Sequence, residues 1–120
     1  MPPAPARLTG QRAHRLTGQG AFEAVFRTGR RVEGLHLSLV VAPSAVPGGR
    51  TGYVIGRKVA ARAVDRNRLR RKLREVVRAQ RPTLPDLDVI VRVKRARNRA
   101  EQDAATAEAE RLLASLARRP

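Results

Sequence analysis

The sequence contains no cysteine and no tryptophan, and only one tyrosine and two phenylalanines in 120 residues. Without cysteine there are no disulfides and no thiolate metal sites, and a reducing cytoplasm fits. With so few aromatics the core has to be aliphatic, and Phe22, Phe26 and Tyr53 each call for a separate reading. No run approaches the roughly eighteen apolar residues of a membrane span. The start, MPPAPARLTG, lacks the apolar stretch of a signal peptide. Acids are scarce too: ten stand against twenty-six bases, a net charge of +16. Self-repulsion of that size weakens a compact state unless a partner neutralises it. Nucleic acid is the first candidate for that partner and an anionic membrane surface the second. The 23 Arg against 3 Lys reflect a GC-rich genome more than a function; the total charge is the informative quantity.

The length and a hydrophobic fraction of 42% support one compact domain. Residues 1–13, rich in Pro, Arg and Gly, read as a flexible basic arm, with a single domain over 14–120. Phe22, Val25 and Phe26 at i, i+3, i+4 predict a helix over 19–28, with Thr17 as cap and Gly29 as a left-handed stop. In LHLSLVVA (35–42), Leu35, Leu37, Leu39 and Val41 alternate with His36, Ser38 and Val40, which predicts a half-buried strand with a mildly polar, open second face. TGYVIGRK (51–58) reads as a second strand and DLDVIVRVK (86–94) as another, separated by a helix over 62–80. KRARNRA is a basic loop, and EQDAATAEAERLLASLARR a final helix with Ala105, Ala109, Leu112, Leu113 and Leu116 as its stripe. Asp86, Asp88, Glu108 and Glu110 read as turn and helix-start residues.

The charge is concentrated. Residues 56–81 hold eleven bases and two acids, a net of +9 within the total of +16. On the 62–80 helix, Leu69, Leu73, Val76 and Val77 share one arc at 100° per residue, while Arg68, Arg70, Arg71, Arg74 and Arg78 fan across the other. An ordinary solvated face interleaves signs, because opposite charges at i, i+4 stabilise a helix and like charges cost a few tenths of a kcal/mol. Asn67 lies inside this fan, where its amide can meet a phosphate or base edge, or merely water. Phe22 and Phe26 read by default as core; beside an open strand face they can also stack on an unpaired base. Tyr53 suits either core or cleft wall, and His14 and His36 read as surface residues. No nucleophile–base constellation, phosphate-cradling glycine loop or metal-ligand cluster is present, so no catalytic residue of the chain's own is expected.

GRKVAARAVDRNRLRRKLREVVR closely resembles the signature of the protein subunit of bacterial ribonuclease P: a Lys/Arg pair ending a strand, then an Arg-Asn-Arg motif opening a long basic helix. RLTGQGAFEAVFRTG resembles that family's N-terminal element, and the likeness extends over roughly residues 14–117. The resemblance implies an α+β fold, a two-layer α/β sandwich ordered helix, three strands, helix, strand, helix, with a left-handed strand–helix–strand crossover, ribosomal-protein-like. A short strand at 30–33 would complete that count. It also implies a role in an RNA-based enzyme that removes the 5′ leader of precursor tRNA, the RNA subunit being the catalyst and using Mg2+. Arg62, Arg66, Asn67, Arg68, Arg70, Arg71 and Arg74 would then face the catalytic RNA. Phe22, Phe26, His36, Ser38, Arg57 and Lys58 would line the cleft for the leader. No membrane and no obligate protein partner are expected. Arg92 and Lys94 make the last strand more basic than the family pattern. The alternatives are a ribosomal or assembly-type RNA-binding protein without a processing role, and a module reading DNA with the basic helix. Against the latter, one Asn among arginines suits phosphates better than base edges.

Overall fold

Period-two alternation in LSLVVAP and LDVIVRV builds the centre of the sheet. The structure is a computed structural model and describes residues 15–16 and 18–117; the arm 1–13, His14 and the expected cap Thr17 lie outside the described residues. Helix α1 (Gln19–Thr28) precedes three strands, β1 (Arg30–Glu33), β2 (Leu37–Pro43) and β3 (Thr51–Val54). Helix α2 (Ala63–Gln80) follows, then a short 3-10 turn (Arg81–Thr83), β4 (Leu87–Val93) and α3 (Arg99–Ala117). This is the expected order, including the short strand at 30–33.

Strands β2 and β4 pair antiparallel, Leu39 opposite Val91 and Val41 opposite Val89. β1 adds antiparallel to the outer edge of β2, and β3 adds parallel to β4, giving the order β1-β2-β4-β3. A parallel pair cannot be joined by a tight turn, so the chain crosses over through α2. Leu37, Leu39, Val41, Val89 and Val91 face α2 and α3, meeting Leu69, Leu73, Ala105, Ala109 and Leu113 in the main core. Leu69 and Leu73 are fully buried, and each contributes roughly 1.5–3 kcal/mol by leaving water. The opposite sheet face carries a smaller core in which Val40, Ala42 and Ile90 meet Leu16, Val25 and the Phe22 ring. α1 therefore covers part of the face that α2 and α3 do not.

Several expectations need correction. Leu35 lies outside β2 and is 63% exposed, because the amides of residues 35–37 are drawn to a carboxylate on α3. The second face of β2 is not open: Ser38 is 4% exposed and Val40 and Ala42 are buried beside it. β3 stops at Val54, so Arg57 and Lys58 sit in the exposed turn beyond it. Gly29 is extended (φ −84°, ψ 161°), not left-handed. A side chain there would collide with the Val25 carbonyl oxygen and Val40 Cγ1, so close approach explains the glycine.

Asp88 and Glu108 are neither turn nor helix-start residues. Asp88 is buried within β4 and accepts from Arg50 Nη2 at 2.7 Å, Arg50 Nε at 3.1 Å and the Arg50 backbone N–H at 3.1 Å. Burial pushes its carboxyl up, but hydrogen bonds from Arg50 and Ser44 prevail and hold it below its ordinary value. Glu108, buried in the middle of α3, accepts the backbone N–H groups of Leu35, His36 and Leu37 at 2.9, 2.8 and 2.8 Å. Burial opposes its ionisation, the three amides favour it, and the net shift is downward.

Candidate nucleic-acid interface

The apolar stripe of α2 fixes the rotation of the helix, and that rotation turns its arginines away from the core. Asp65 occupies the first turn, where the helix dipole favours an acid, and its carboxylate lies 3.1 Å from Arg62 Nε and 3.3 Å from Arg68 Nη1. Arg70 Nη1 donates to Asn67 Oδ1 at 3.2 Å, which leaves the Asn67 amide N–H groups directed outward on an exposed residue. Arg71 is exposed, and no hydrogen bond or ion pair to it occurs among the described residues. Glu75 is taken by Arg78, one turn on, and Lys72 Nζ by Asp103 of α3 at 2.8 Å.

Arg66 differs from its neighbours. Its Nη1 donates at 2.8 Å to both the Ala60 and Ala61 carbonyl oxygens, tying the loop after β3 to the first turn of α2. Its guanidinium is part of the loop's structure as well as of the basic face.

Beside α2, at the β3 edge of the sheet, lies a cleft of about 970 Å³. Its apolar floor is Leu16, Phe22, Gly52, Tyr53 and Val77, and Arg15, Arg70, Arg74, Arg78 and Arg81 line it from the sides. The Leu16 N–H donates to the Thr51 carbonyl oxygen at 2.9 Å, which brings the chain before α1 alongside the edge strand. Gly52 is what lets Phe22 reach the floor: a Cβ at Gly52 would stand 2.5 Å from Phe22 Cζ. Burial pushes the Tyr53 phenol up to about 12 against the lowering influence of Arg74 and Arg81, so it stays a hydroxyl donor at neutral pH. Arg81 is immobilised by the Leu87 and Arg50 carbonyl oxygens, each at 2.8 Å, and by Thr51 Oγ1. Burial lowers its pKa, opposed by the Tyr53, Asp88 and Asp86 charges.

The cleft thus joins residues that the sequence assigned to two separate surfaces: Phe22 from the leader set, and Arg70 and Arg74 from the catalytic-RNA set. The other five leader candidates do not line it. Phe26 is 39% exposed on α1, and Ser38 is buried. His36 is held by its backbone N–H on Glu108, with Nδ1 3.9 Å from the same carboxylate. Arg57 and Lys58 are exposed in their turn. Sequence reading missed Arg15, Arg78 and Arg81 as cleft residues. The fan on the helical wheel already contained Arg78; the other two depend on tertiary placement alone.

A family model described as Ribonuclease P matches residues 11–117. The chain belongs to the ribonuclease P protein family. Among its relatives, the ribonuclease P protein component of Chromobacterium violaceum is 35% identical over 108 residues, 90% of this chain and 89% of that protein. The ribonuclease P protein component of Acidothermus cellulolyticus is 39% identical over 106 residues, 86% and 88% of the two chains. The fold matches the RNase P protein of Thermotoga maritima with a TM-score of 0.69 at 23% identity, over 88% of this chain and 97% of that one. A mutant RNase P protein of Staphylococcus aureus gives a TM-score of 0.73 at 20% identity, over 92% and 91%. At such identities the structures speak for the fold; membership of the ribonuclease P family rests on the sequence matches.

Among the described residues, no group of three or more His, Asp or Glu side chains is placed to hold a metal ion. The acids nearest the basic face, Asp65 and Glu75, are already engaged by arginines. These residues do not fit a Mg2+ site. Among the same residues, no helix is long and apolar enough to cross a membrane.

Proposed function

We propose that this chain is the protein subunit of a cytoplasmic ribonuclease P ribonucleoprotein that removes the 5′ leader of precursor tRNA. It binds the RNA subunit through α2 and the leader through the neighbouring cleft. The RNA subunit is the catalyst, and Mg2+ is held by that RNA and the substrate. The chain's own contribution is electrostatic and positional.

One observation carries the reading: in a member of this family, the arginines of α2 open onto a cleft whose floor is apolar and includes Phe22. Phosphates favour the guanidinium groups, which match their oxygens in a planar fork. An unpaired base favours the floor, since base–aromatic stacking is worth roughly 1–3 kcal/mol. Single-stranded leader offers both, whereas the mature 5′ end offers neither beyond the cleavage point.

Reconstitution with a ribonuclease P RNA tests the reading. Leader cleavage at low Mg2+ should depend on this chain, because its net charge of +16 offsets repulsion between the two RNAs that Mg2+ would otherwise screen. Cleavage that proceeds equally well without the protein, with the RNA still bound to it, would leave only a structural RNA-binding role.

A further inference from the structure

The chain carries a second Arg-Asn-Arg triplet, Arg97-Asn98-Arg99, at the start of α3. The eight residues 92–99 hold five bases and no acid. The segment is built to keep its shape. The Lys94 and Arg95 N–H groups both donate to the His36 carbonyl oxygen, at 2.7 and 3.0 Å, and Ala96 between them and the helix is fully buried. Asn98 Oδ1 accepts the Glu101 N–H at 2.8 Å, and Glu101 Oε1 accepts the Arg97 N–H at 2.8 Å. This reciprocal pair closes the entry to α3. It commits Asn98 Oδ1 to the cap, so the charge that holds a partner comes from the guanidinium groups.

Arg95, Arg97 and Arg99 are all exposed. No side-chain hydrogen bond or ion pair within 4 Å involves any of them among the described residues. A rigid backbone presenting cations has the backbone part of its ordering cost already met before a partner arrives, leaving only that of the side chains. The surface is also continuous with α2. Lys72 of α2 is bound to Asp103 of α3, and Arg99 lies one turn before Asp103, close enough to act on its carboxylate.

We propose that Arg95, Arg97 and Arg99 form a second docking surface for RNA phosphates, taking the backbone of the same RNA subunit that α2 binds. The assignment rests on the proposed role of α2. Of the two acids at the junction, Asp103 is neutralised by Lys72 and Glu101 is engaged by the Arg97 N–H, so a phosphate track can pass from the α2 arginines to the α3 entry without meeting an unengaged carboxylate. The guanidinium groups take phosphate oxygens, a contact that supplies affinity and orientation.

The test is a salt titration of binding between the full-length protein and the RNA subunit, for the wild type and the triple variant Arg95→Ala, Arg97→Ala, Arg99→Ala. Asn98 and Glu101 are left in place so that α3 stays capped. Losing three contacts should flatten the slope of log K against log[salt] by roughly 2, which corresponds to about a hundredfold weaker binding at 0.1 M salt. A control with the same net charge, Arg27→Ala, Arg30→Ala, Arg31→Ala, should bind as the wild type does. An unchanged slope in the α3 variant overturns the proposal, as does an equal loss in the control. So does a loss confined to precursor tRNA with RNA-subunit affinity intact. A parallel variant, Arg68→Ala, Arg71→Ala, Arg74→Ala, separates the two levels. If it weakens RNA-subunit binding while the α3 variant does not, only the second surface fails; if neither weakens it, the α2 assignment fails too.

Discussion

The Glu108 carboxylate on α3 accepts the Leu37 backbone N–H at 2.8 Å, across 71 residues of chain. With the Leu35 and His36 amides on the same group, one side chain organises the entry to the central strand β2. His36 Nδ1 and Arg111 Nη2 face it from 3.9 and 3.8 Å. Glu108→Gln keeps the shape but turns an NH2 group toward backbone donors. Such a loss at a buried ionised acceptor costs about 1–3 kcal/mol, to be read from urea unfolding at pH 7.

The same group predicts a pH dependence. Its carboxyl is held below the ordinary value of 4.5 in the folded protein. The stabilisation is therefore fully present above 4.5 and is lost as pH falls through the lower folded value. Between pH 5 and acid, unfolding free energy should drop more steeply in the wild type than in Glu108→Gln. Asp88, also held low, titrates in both proteins and cancels in the comparison. Parallel curves would show that Glu108 is not the source.

These relationships explain where sequence reading stopped. The strand alternation in β2 and β4 and the stripe Leu69, Leu73, Val76 and Val77 were legible because period 2 and period 3.6 depend only on near neighbours. Glu108 stands three residues after Ala105 and four before Leu112, within the buried stripe, but its partners lie at the entry to β2, far away in the chain, and nothing local marks them. Asp88 and Arg50 are hidden for the same reason. The basic face was legible from charge alone. That it shares a cleft with Phe22 was not, because the meeting point depends on β3 being an edge strand next to the chain entering α1.

Arg66 and Arg71 stand in the same basic run, yet their replacements should behave differently. Arg66→Ala removes charge-assisted bonds to two carbonyl oxygens and should cost about 1–3 kcal/mol of folding stability. Arg71→Ala, at an exposed side chain, should change stability by no more than about 0.5 kcal/mol. In RNA binding the Arg71 variant should flatten the salt slope by roughly 0.7–0.9, one phosphate contact. Denaturant melts and salt titrations on both variants check this. Equal stability for the two would mean that the Arg66 bonds contribute little in solution.

Phe22 and Gly52 should act as one unit. Phe22→Ala removes the ring, and Gly52→Ala places a Cβ 2.5 Å from its Cζ, so the ring has to leave the cleft floor. Overpacking of this kind costs about 1–3 kcal/mol. If the ring stacks on a leader base, both variants lose affinity for precursor tRNA by roughly tenfold, the equivalent of a stacking contact of about 1.4 kcal/mol, and keep their affinity for mature tRNA. The ratio of the two affinities, measured on the reconstituted holoenzyme, separates this from a purely structural ring. A Phe22→Ala protein that binds both tRNAs equally less well places Phe22 in the core alone. A Gly52→Ala protein that keeps full discrimination shows that the ring reaches the leader from more than one position.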